Sequence, residues 1–182
     1  MPLYKGSSKI KTLYHGSTKI KKLYKGSTLV YQLAGYPSGT VLYESAGAYG
    51  TVTLNVLYPC TISVQMCGGG GDAYSTWAGG SSGKITGNTS ISAGTYTIVV
   101  GKNKQDTTFL GNIAGKGGSA SRGNAGAGGT TTVVSSGLTG SNGTKGSSTG
   151  RIVVDGYNYG AGAKGSGAGT LGKTGYCKIT VV

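Results

Sequence analysis

Acidic side chains are scarce in this chain of 182 residues, which has four Asp and Glu, one histidine and a formal net charge of +13. The acids stand apart from one another in the sequence, at Glu44, Asp72, Asp106 and Asp155. Acid–base, metal and nucleophilic sites need several such groups close together. His15 occupies a turn position where the other copies of a repeat have lysine, so we assign it no catalytic role. We therefore expect no enzyme, no metal site and no cofactor.

Cysteine is also scarce, and its pattern argues against two common uses. Cys60, Cys67 and Cys177 are an odd set without a Cys-x-x-Cys pair, which predicts neither a disulfide framework nor a zinc site. Free buried thiols are the default expectation, and a Cys67–Cys177 bridge between the first and last strands is left open. The sequence shows no apolar run of membrane-spanning length and no signal-peptide pattern, so we expect a soluble chain made in a cytoplasm.

Large apolar side chains other than tyrosine are few. Phe109 and Trp77 are the single residues of their types, which predicts a thin conventional core. Thirteen tyrosines offset this in part, because each brings a large apolar ring with a polar tip.

Glycine, in contrast, is abundant, with 38 residues, and many of those between residues 68 and 175 recur at every third position. The clearest run contains Gly137, Gly140, Gly143 and Gly146. A left-handed helix with three residues per turn places every third residue on one face, where glycine lets neighbouring helices pack backbone to backbone. The alternative is a flexible linker or a disordered tract. Collagen is disfavoured, because the phase breaks repeatedly and all three prolines lie outside the region.

Alternating apolar and polar residues, bounded by glycine and serine, predict β-strands between the glycine runs. In the second of these strands Ile62, Val64 and Met66 share one face. The predicted strands are Thr51–Val56, Thr61–Met66, Thr95–Val100, Thr131–Val134, Ile152–Val154 and Tyr176–Val182. Because a linker has no use for such strands, they favour packed glycine runs over disordered ones.

The first 33 residues repeat with a period of ten, as PLYKGSSKIKT, LYHGSTKIKK and LYKGSTLVYQ. Each unit combines an extended stretch with a turn in which glycine supplies a positive φ. The predicted fold class is all-β. It comprises a β-meander of decapeptide repeats over residues 1–33, a connector over 34–47 and, over 48–182, a small antiparallel β frame with glycine-rich excursions of polyglycine-II type.

The repeats are strongly basic, since all seven charged side chains of residues 1–33 are lysines. One interpretation is a solvated face that prevents aggregation of strand edges. Another is docking to an acidic assembly partner, for which the candidate residues are Tyr4, Tyr14, Tyr24, Lys9, Lys19 and Lys21. A nucleic-acid partner is disfavoured, because the chain shows neither a groove-binding helix pattern nor an RNP-like aromatic motif.

Aromatic and amide side chains on glycine-flanked loops indicate a second kind of contact. Such residues suit recognition of carbohydrate or protein, because they combine flat platforms with adaptable hydrogen bonds. The alternative is that the aromatic rings cap the apolar frame. The candidate receptor-binding residues are Tyr74, Trp77, Tyr157, Asn158 and Tyr159.

Residues 48–182 resemble the glycine-rich domain of phage virion proteins, which occurs in tail-fibre and other adsorption proteins. The resemblance rests on two short strands, the burst Gly68–Gly71, the strand GTYTIVVG over Gly94–Gly101, triplet glycine runs and the terminal GYCKITVV. The LYxGSxKI repeats are likewise similar to N-terminal modules of phage structural proteins.

This resemblance implies a virion protein, assembled in the host cytoplasm, whose polyglycine-II tip presents receptor-binding loops. Its expected partners are other virion proteins, further copies of itself with a trimer favoured, and a glycan or protein of the bacterial surface; no membrane partner is expected. The alternative that it leaves open is a capsid or head-fibre decoration protein with a purely structural role.

Overall fold

The computed structural model describes residues 35–147, 159–163 and 170–182, together with the backbone of six short strands within residues 4–32 and the exposure of His15. The chain divides into two compact units, Met1–Gly35 and Tyr36–Val182. None of the described residues is helical, and the described part of the chain therefore contains no helix long and apolar enough to cross a membrane. The predicted strand Ile152–Val154 lies outside the described residues.

The N-terminal unit contains one antiparallel hairpin per decapeptide. The strands are β1 Tyr4–Lys5, β2 Ser8–Lys9, β3 Leu13–His15, β4 Thr18–Ile20, β5 Lys22–Lys25 and β6 Thr28–Gln32. They pair as β1 with β2, β3 with β4 and β5 with β6, and in each hairpin a Gly-Ser dipeptide separates the two strands in the sequence. The described strands pair only within a repeat, so a meander continuous across the repeats stays a prediction.

Two five-stranded antiparallel sheets form the C-terminal unit, and the all-β class is confirmed. The strands are β7 Val41–Glu44, β8 Gly50–Val56, β9 Cys60–Cys67, β10 Lys84–Ile91, β11 Gly94–Val100, β12 Thr107–Phe109, β13 Asn112–Ala114, β14 Thr131–Thr132, β15 Leu138–Ser141 and β16 Tyr176–Val181. One sheet has the order β15-β10-β9-β16-β7 and the other has the order β14-β13-β12-β11-β8.

Four of the predicted strands correspond to β8, β9, β11 and β16, whereas the stretch 131–134 is a strand only over its first two residues. Strand β7 lies within the predicted connector 34–47 and pairs with β16 at the edge of its sheet. The sequence pattern does not predict strands β10, β12, β13 and β15. The run from Gly137 to Gly146 begins with β15, so its first half pairs in a sheet.

Both sheets contribute side chains to one apolar core. Ile62, Val64 and Met66 of β9 are at most 2 % exposed, as their shared face predicts. From the other sheet, Phe109 is 1 % exposed and meets Tyr96 edge to face, with 6.4 Å between the ring centroids. Burial of these side chains supplies the hydrophobic stabilisation of this unit.

Glycine-rich segments outside the strands pack against one another through backbone hydrogen bonds. We call residues 68–72, 78–83, 115–119, 126–130, 142–147, 160–163 and 170–175 the glycine segments. The amides of segment 78–83 donate in turn to three different neighbours. The pairs are Ala78 to Ser147, Gly79 to Ala163, Gly80 to Gly118, Ser81 to Thr144, Ser82 to Gly160 and Gly83 to Gly115. Every third amide thus returns to the same neighbour, as packed helices with three residues per turn require. The polyglycine-II conformation itself stays a prediction.

Close backbone contact explains why glycine occupies these segments. A Cβ atom on Gly80 would collide with the carbonyl group of Ala127, and one on Gly126 would collide with the carbonyl group of Gly118. Neither obstacle is the movable end of a side chain. Alanine is present where its methyl group has space, as at the exposed Ala127. The segments therefore hold their neighbours at distances that only glycine permits.

Candidate binding site at the turns of the glycine segments

A tight turn connects glycine segments 68–72 and 78–83. The amide of Tyr74 donates to the carbonyl of Trp77 at 3.0 Å, and the amide of Trp77 donates back at 2.9 Å. Between them Ser75 has a φ of 53°, the left-handed conformation that such a reversal needs. Because the backbone closes on itself, the side chains of Tyr74, Ser75 and Trp77 are available for other contacts.

A second turn of the same kind connects segments 115–119 and 126–130. Ser121 and Asn124 exchange backbone hydrogen bonds of 2.9 and 3.0 Å. Gly123 has a φ of 82°, and Arg122 beside it is exposed. The Arg-Gly dipeptide thus presents one cation at the tip of the turn.

The two turns border a common hollow of about 330 Å³, lined by Tyr74, Ser75, Trp77 and Arg122. Tyr74 is 47 % exposed and Trp77 is half-buried. Among the described residues, no carboxylate forms an ion pair with the Arg122 guanidinium. The hollow therefore offers two aromatic rings, two hydroxyl groups and an unneutralised cation to a ligand.

Two hydrogen bonds fix the base of one turn to the base of the other. The amide of Ala120 donates to the carbonyl of Asp72 at 2.9 Å, and the Asp72 amide donates to the Ser119 hydroxyl at 3.2 Å. On either side of the first turn, Ala73 and Ala78 are 6 % and 1 % exposed. The spacing of the two turns is consequently set by the protein before any ligand arrives.

Asp72 is the acid nearest in sequence to the hollow, but its carboxylate is engaged in the scaffold. One oxygen accepts hydrogen bonds from the Asn103 side chain and the Gly172 amide, both at 3.0 Å. The other lies 2.6 Å from the Lys104 ammonium group. Partial burial alone would raise the pKa of Asp72, but the hydrogen bonds from Lys104, Gly172 and Asn103 outweigh it and lower the pKa. Asp72 therefore joins three parts of the chain as an anion.

The structure separates Tyr159 from Tyr74 and Trp77. The ring of Tyr159 stacks on Tyr176 with 4.8 Å between centroids and 15° between planes. Its neighbour Gly160 accepts a hydrogen bond from Ser82, near the end of segment 78–83 opposite to Trp77. Tyr159 is not among the residues that line the hollow, and its role in receptor binding stays a prediction.

The remaining predicted site residues cannot be placed against the hollow. Tyr157, Asn158 and Lys21 lie outside the described residues. The other docking candidates belong to described strands whose side chains are not described, namely Tyr4, Tyr14, Tyr24, Lys9 and Lys19. The docking role of the repeats thus stays a prediction.

Sequence reasoning missed Arg122. The signal was available in part, because Ser-Arg-Gly-Asn between glycine runs has the composition of a turn. What composition does not reveal is the neighbour of that turn, since it depends on which glycine segments pair.

Another hollow, of about 440 Å³, follows segments 115–119 and 126–130 and is lined mainly by their backbone, with Asp106 and Lys116 at its side.

Two buried thiols are positioned by the sheet and take no part in the site. Cys67 lies opposite Tyr176 and Cys177 lies opposite Met66 in the pairing of β9 with β16. Since neighbouring residues of a strand face opposite sides, the two thiols point to opposite faces of the sheet. Both are free, so the bridge that the sequence left open does not form. Burial raises the pKa of Cys67 to about 11 and that of Cys177 to about 12.

Within the described part of the chain, no group of three or more His, Cys, Asp and Glu side chains is arranged to hold a metal ion. The side chains that line the hollow are two aromatic rings, a serine and a guanidinium group. Comparison with models of known protein families and with curated proteins gave no significant match to this chain.

Proposed function

We propose that this chain is a phage virion surface protein, of the fibre or adhesin type, that attaches the particle to its host cell through the turns of the glycine segments. The observation that carries the proposal is the hollow between Tyr74, Trp77 and Arg122, in which recognition side chains from two separate turns converge. The resemblance of residues 48–182 to the glycine-rich domain of phage adsorption proteins gives the biological setting.

The construction of the scaffold suits this role. Backbone hydrogen bonds hold the glycine segments together, so the side chains at the turns are not needed to join the segments. A binding surface whose backbone is fixed in advance loses little conformational entropy when it engages a receptor. The attachment surface therefore has a fixed backbone, and its side chains can vary without changing that backbone.

The N-terminal repeats would join the protein to the rest of the particle. Tyr4, Tyr14 and Tyr24 recur every ten residues, and lysines recur at equivalent positions in two of the three repeats, so the same groups are offered more than once to an acidic partner surface. Repetition of a weak contact raises the overall affinity when the contacts are engaged together. Residues 1–33 and the turns thus have separate tasks.

Virions that carry substitutions in this chain test the attachment function. Replacing Tyr74 and Trp77 by alanine should lower adsorption to host cells by about tenfold or more, since aromatic anchors contribute a large share of interface energy. Val134→Ala is the matched control, because Val134 is 65 % exposed and lies outside the hollow.

Immunogold labelling of the same particles locates the protein. Labelling at an attachment fibre together with the adsorption defect supports the proposal. Normal adsorption of the double variant, with dense labelling over the whole head, would overturn it in favour of the purely structural decoration role.

A further inference from the structure

We infer that the hollow formed by Tyr74, Ser75, Trp77 and Arg122 binds an anionic sugar residue of a bacterial surface glycan, either a uronic acid or a sugar phosphate. The inference rests on the proposed attachment function and names the chemistry of the receptor. It follows from the size, the lining and the charge of the hollow.

The size fits one or two sugar rings. The volume of about 330 Å³ lies near the lower end of the range of roughly 300–1,000 Å³ that ligand pockets occupy. The ring of Tyr74 is half exposed, so its flat face is accessible without rearrangement of the turn. Aromatic faces bind the apolar C–H side of a sugar ring, while the hydroxyl groups of Tyr74 and Ser75 suit its polar edge.

Arg122 decides the charge of the ligand. A guanidinium group binds carboxylate and phosphate through two parallel hydrogen bonds between opposite charges, whereas neutral sugar hydroxyls bring no charge to the contact. No carboxylate of the described residues forms an ion pair with Arg122. Glu44 pairs with Lys178, Asp72 pairs with Lys104, and Asp106 accepts a hydrogen bond from the Lys116 amide. The formal net charge of +13 also favours the approach of an anionic polymer.

The backbone positions of the cation and of the aromatic rings are fixed relative to each other before a ligand binds. The hydrogen bond from the Ala120 amide to the Asp72 carbonyl holds the two turns side by side, at 2.9 Å. Arg122 is thereby kept at a fixed distance from the backbone of Tyr74 and Trp77. A ligand that fills the hollow consequently meets both kinds of group at once, which is the condition for discrimination between charged and neutral sugars.

Calorimetric titration of the full-length protein tests the inference with three probes. These are an oligogalacturonate, the same oligosaccharide with every carboxyl group methyl-esterified, and an oligosaccharide of equal length that ends in a sugar phosphate. The methyl ester removes the charge and keeps the ring. We expect it to bind at least about tenfold more weakly than the acid, equivalent to about 1.4 kcal/mol. The stronger of the two anionic probes identifies the source of the charge.

Two variants separate the contributions of charge and ring. Arg122→Gln should lower affinity for the acid to that for the ester, whereas Trp77→Ala should weaken binding of both probes. Lys145→Gln is the matched control, because Lys145 is an exposed cation of a glycine segment outside the hollow and its loss should leave the discrimination intact. Unchanged thermal unfolding shows that each variant remains folded.

Equal affinity of the wild-type protein for acid and ester overturns the inference, as does discrimination that survives Arg122→Gln. If the Tyr74 and Trp77 variants lose adsorption while acid and ester bind equally, the attachment function stands and the anionic ligand is wrong. If the acid binds selectively while adsorption of those variants is normal, the anionic site stands and the attachment function is wrong.

Discussion

Gly126 lies with its α-carbon against the carbonyl group of Gly118, so close that a methyl group on Gly126 would overlap that carbonyl. The Gly126 amide meanwhile donates to the carbonyl of Ala78 at 2.9 Å. One residue is thus held by two different glycine segments, and both contacts are made by backbone. A side chain at this position would clash with backbone atoms, which cannot move aside as a flexible side chain can.

Gly126→Ala should therefore destabilise the C-terminal unit by about 3 kcal/mol or more, at or above the upper end of the usual cost of overpacking, because backbone atoms must move. Ala127→Ser is the control at the adjacent position, where the side chain is exposed. Urea unfolding of the two variants measures the difference. Equal midpoints for Gly126→Ala and wild type would contradict the close packing of these segments.

Asp72→Ala should lower the free energy of unfolding by about 1.5–3 kcal/mol, the usual contribution of hydrogen bonds to a charged group. The change removes the acceptor of Asn103 and Gly172 along with the partner of Lys104. Lys104→Met should cost less than about 1 kcal/mol, because the Lys104 side chain is 50 % exposed and its ion pair is screened by water. An equal loss in both variants would show that the ion pair, and not the bonds to Asn103 and Gly172, is the important contact.

The same carboxylate predicts a pH dependence. The pKa of Asp72 in the folded protein is lowered, so its stabilising contribution is complete above the unfolded pKa of about 3.9 and is lost as the pH falls through the folded pKa. Asp72→Asn has no proton to gain and should lose less stability than wild type on acidification below about pH 4. Glu44, whose pKa is lowered first by its hydrogen bond from Tyr176, titrates in both proteins and cancels in the comparison.

Asn112 is the first residue of β13, and its side chain forms five hydrogen bonds. Asn112→Leu should cost about 2–4 kcal/mol by leaving several polar groups without partners. The side-chain nitrogen Nδ2 of Asn112 donates to the carbonyls of Phe109 and Leu110 and to the Ser135 hydroxyl. Its oxygen accepts from the amides of Val134 and Ser135. The side chain is 0 % exposed, so water cannot replace these bonds.

The matched control for Asn112 is Asn142→Ala. Asn142 also accepts hydrogen bonds from a neighbouring element, at Thr131 of β14, but it is exposed. Its loss should cost no more than about 1 kcal/mol, because water can satisfy the freed groups. Thermal unfolding of both variants gives the comparison, and a smaller effect at Asn112 than at Asn142 would refute the role assigned to Asn112.

Thiol labelling should follow burial. At pH 8, Cys60 should react first, because it is half-buried whereas Cys67 and Cys177 are buried. In Cys60→Ala the remaining thiols should react only as fast as the protein unfolds, and rapid labelling of that variant would disprove their burial.

Both buried thiols have a folded pKa above the unfolded value of about 8.5, since burial disfavours the thiolate. Their stabilising contribution is therefore complete below about pH 8.5 and declines as the pH rises towards the folded values. Replacing Cys177 by alanine should reduce the loss of unfolding free energy above about pH 8.5.

Strands with strict alternation were predictable, and those with interrupted alternation were not. In β9 the apolar residues Ile62, Val64 and Met66 alternate with polar ones, and the strand was predicted nearly in full. In β10 the pattern is broken by Gly87, whose φ is 139° and whose α-carbon lies against the carbonyl of Gly137. That glycine serves a contact with a distant part of the chain, which the local sequence does not display.

The sequence indicates one of the two turns that form the candidate site. Tyr74 and Trp77 stand out because aromatic residues interrupt a glycine run. Arg122 belongs to the same hollow because segment 115–119 and Ala120 are hydrogen bonded to segments 68–72 and 78–83, and glycine carries no side chain that would specify this pairing in the sequence. Tyr159 looked equivalent to Tyr74 by composition, yet its stacking on Tyr176 places it elsewhere.

The return of every third amide of segment 78–83 to the same neighbour limits how the chain can change in length. Inserting or deleting one residue within a segment would rotate every later amide by about 120°, towards a different neighbour. A change of three residues restores each direction and merely lengthens the segment by one turn. Viable length variants of the glycine segments should consequently differ in steps of three.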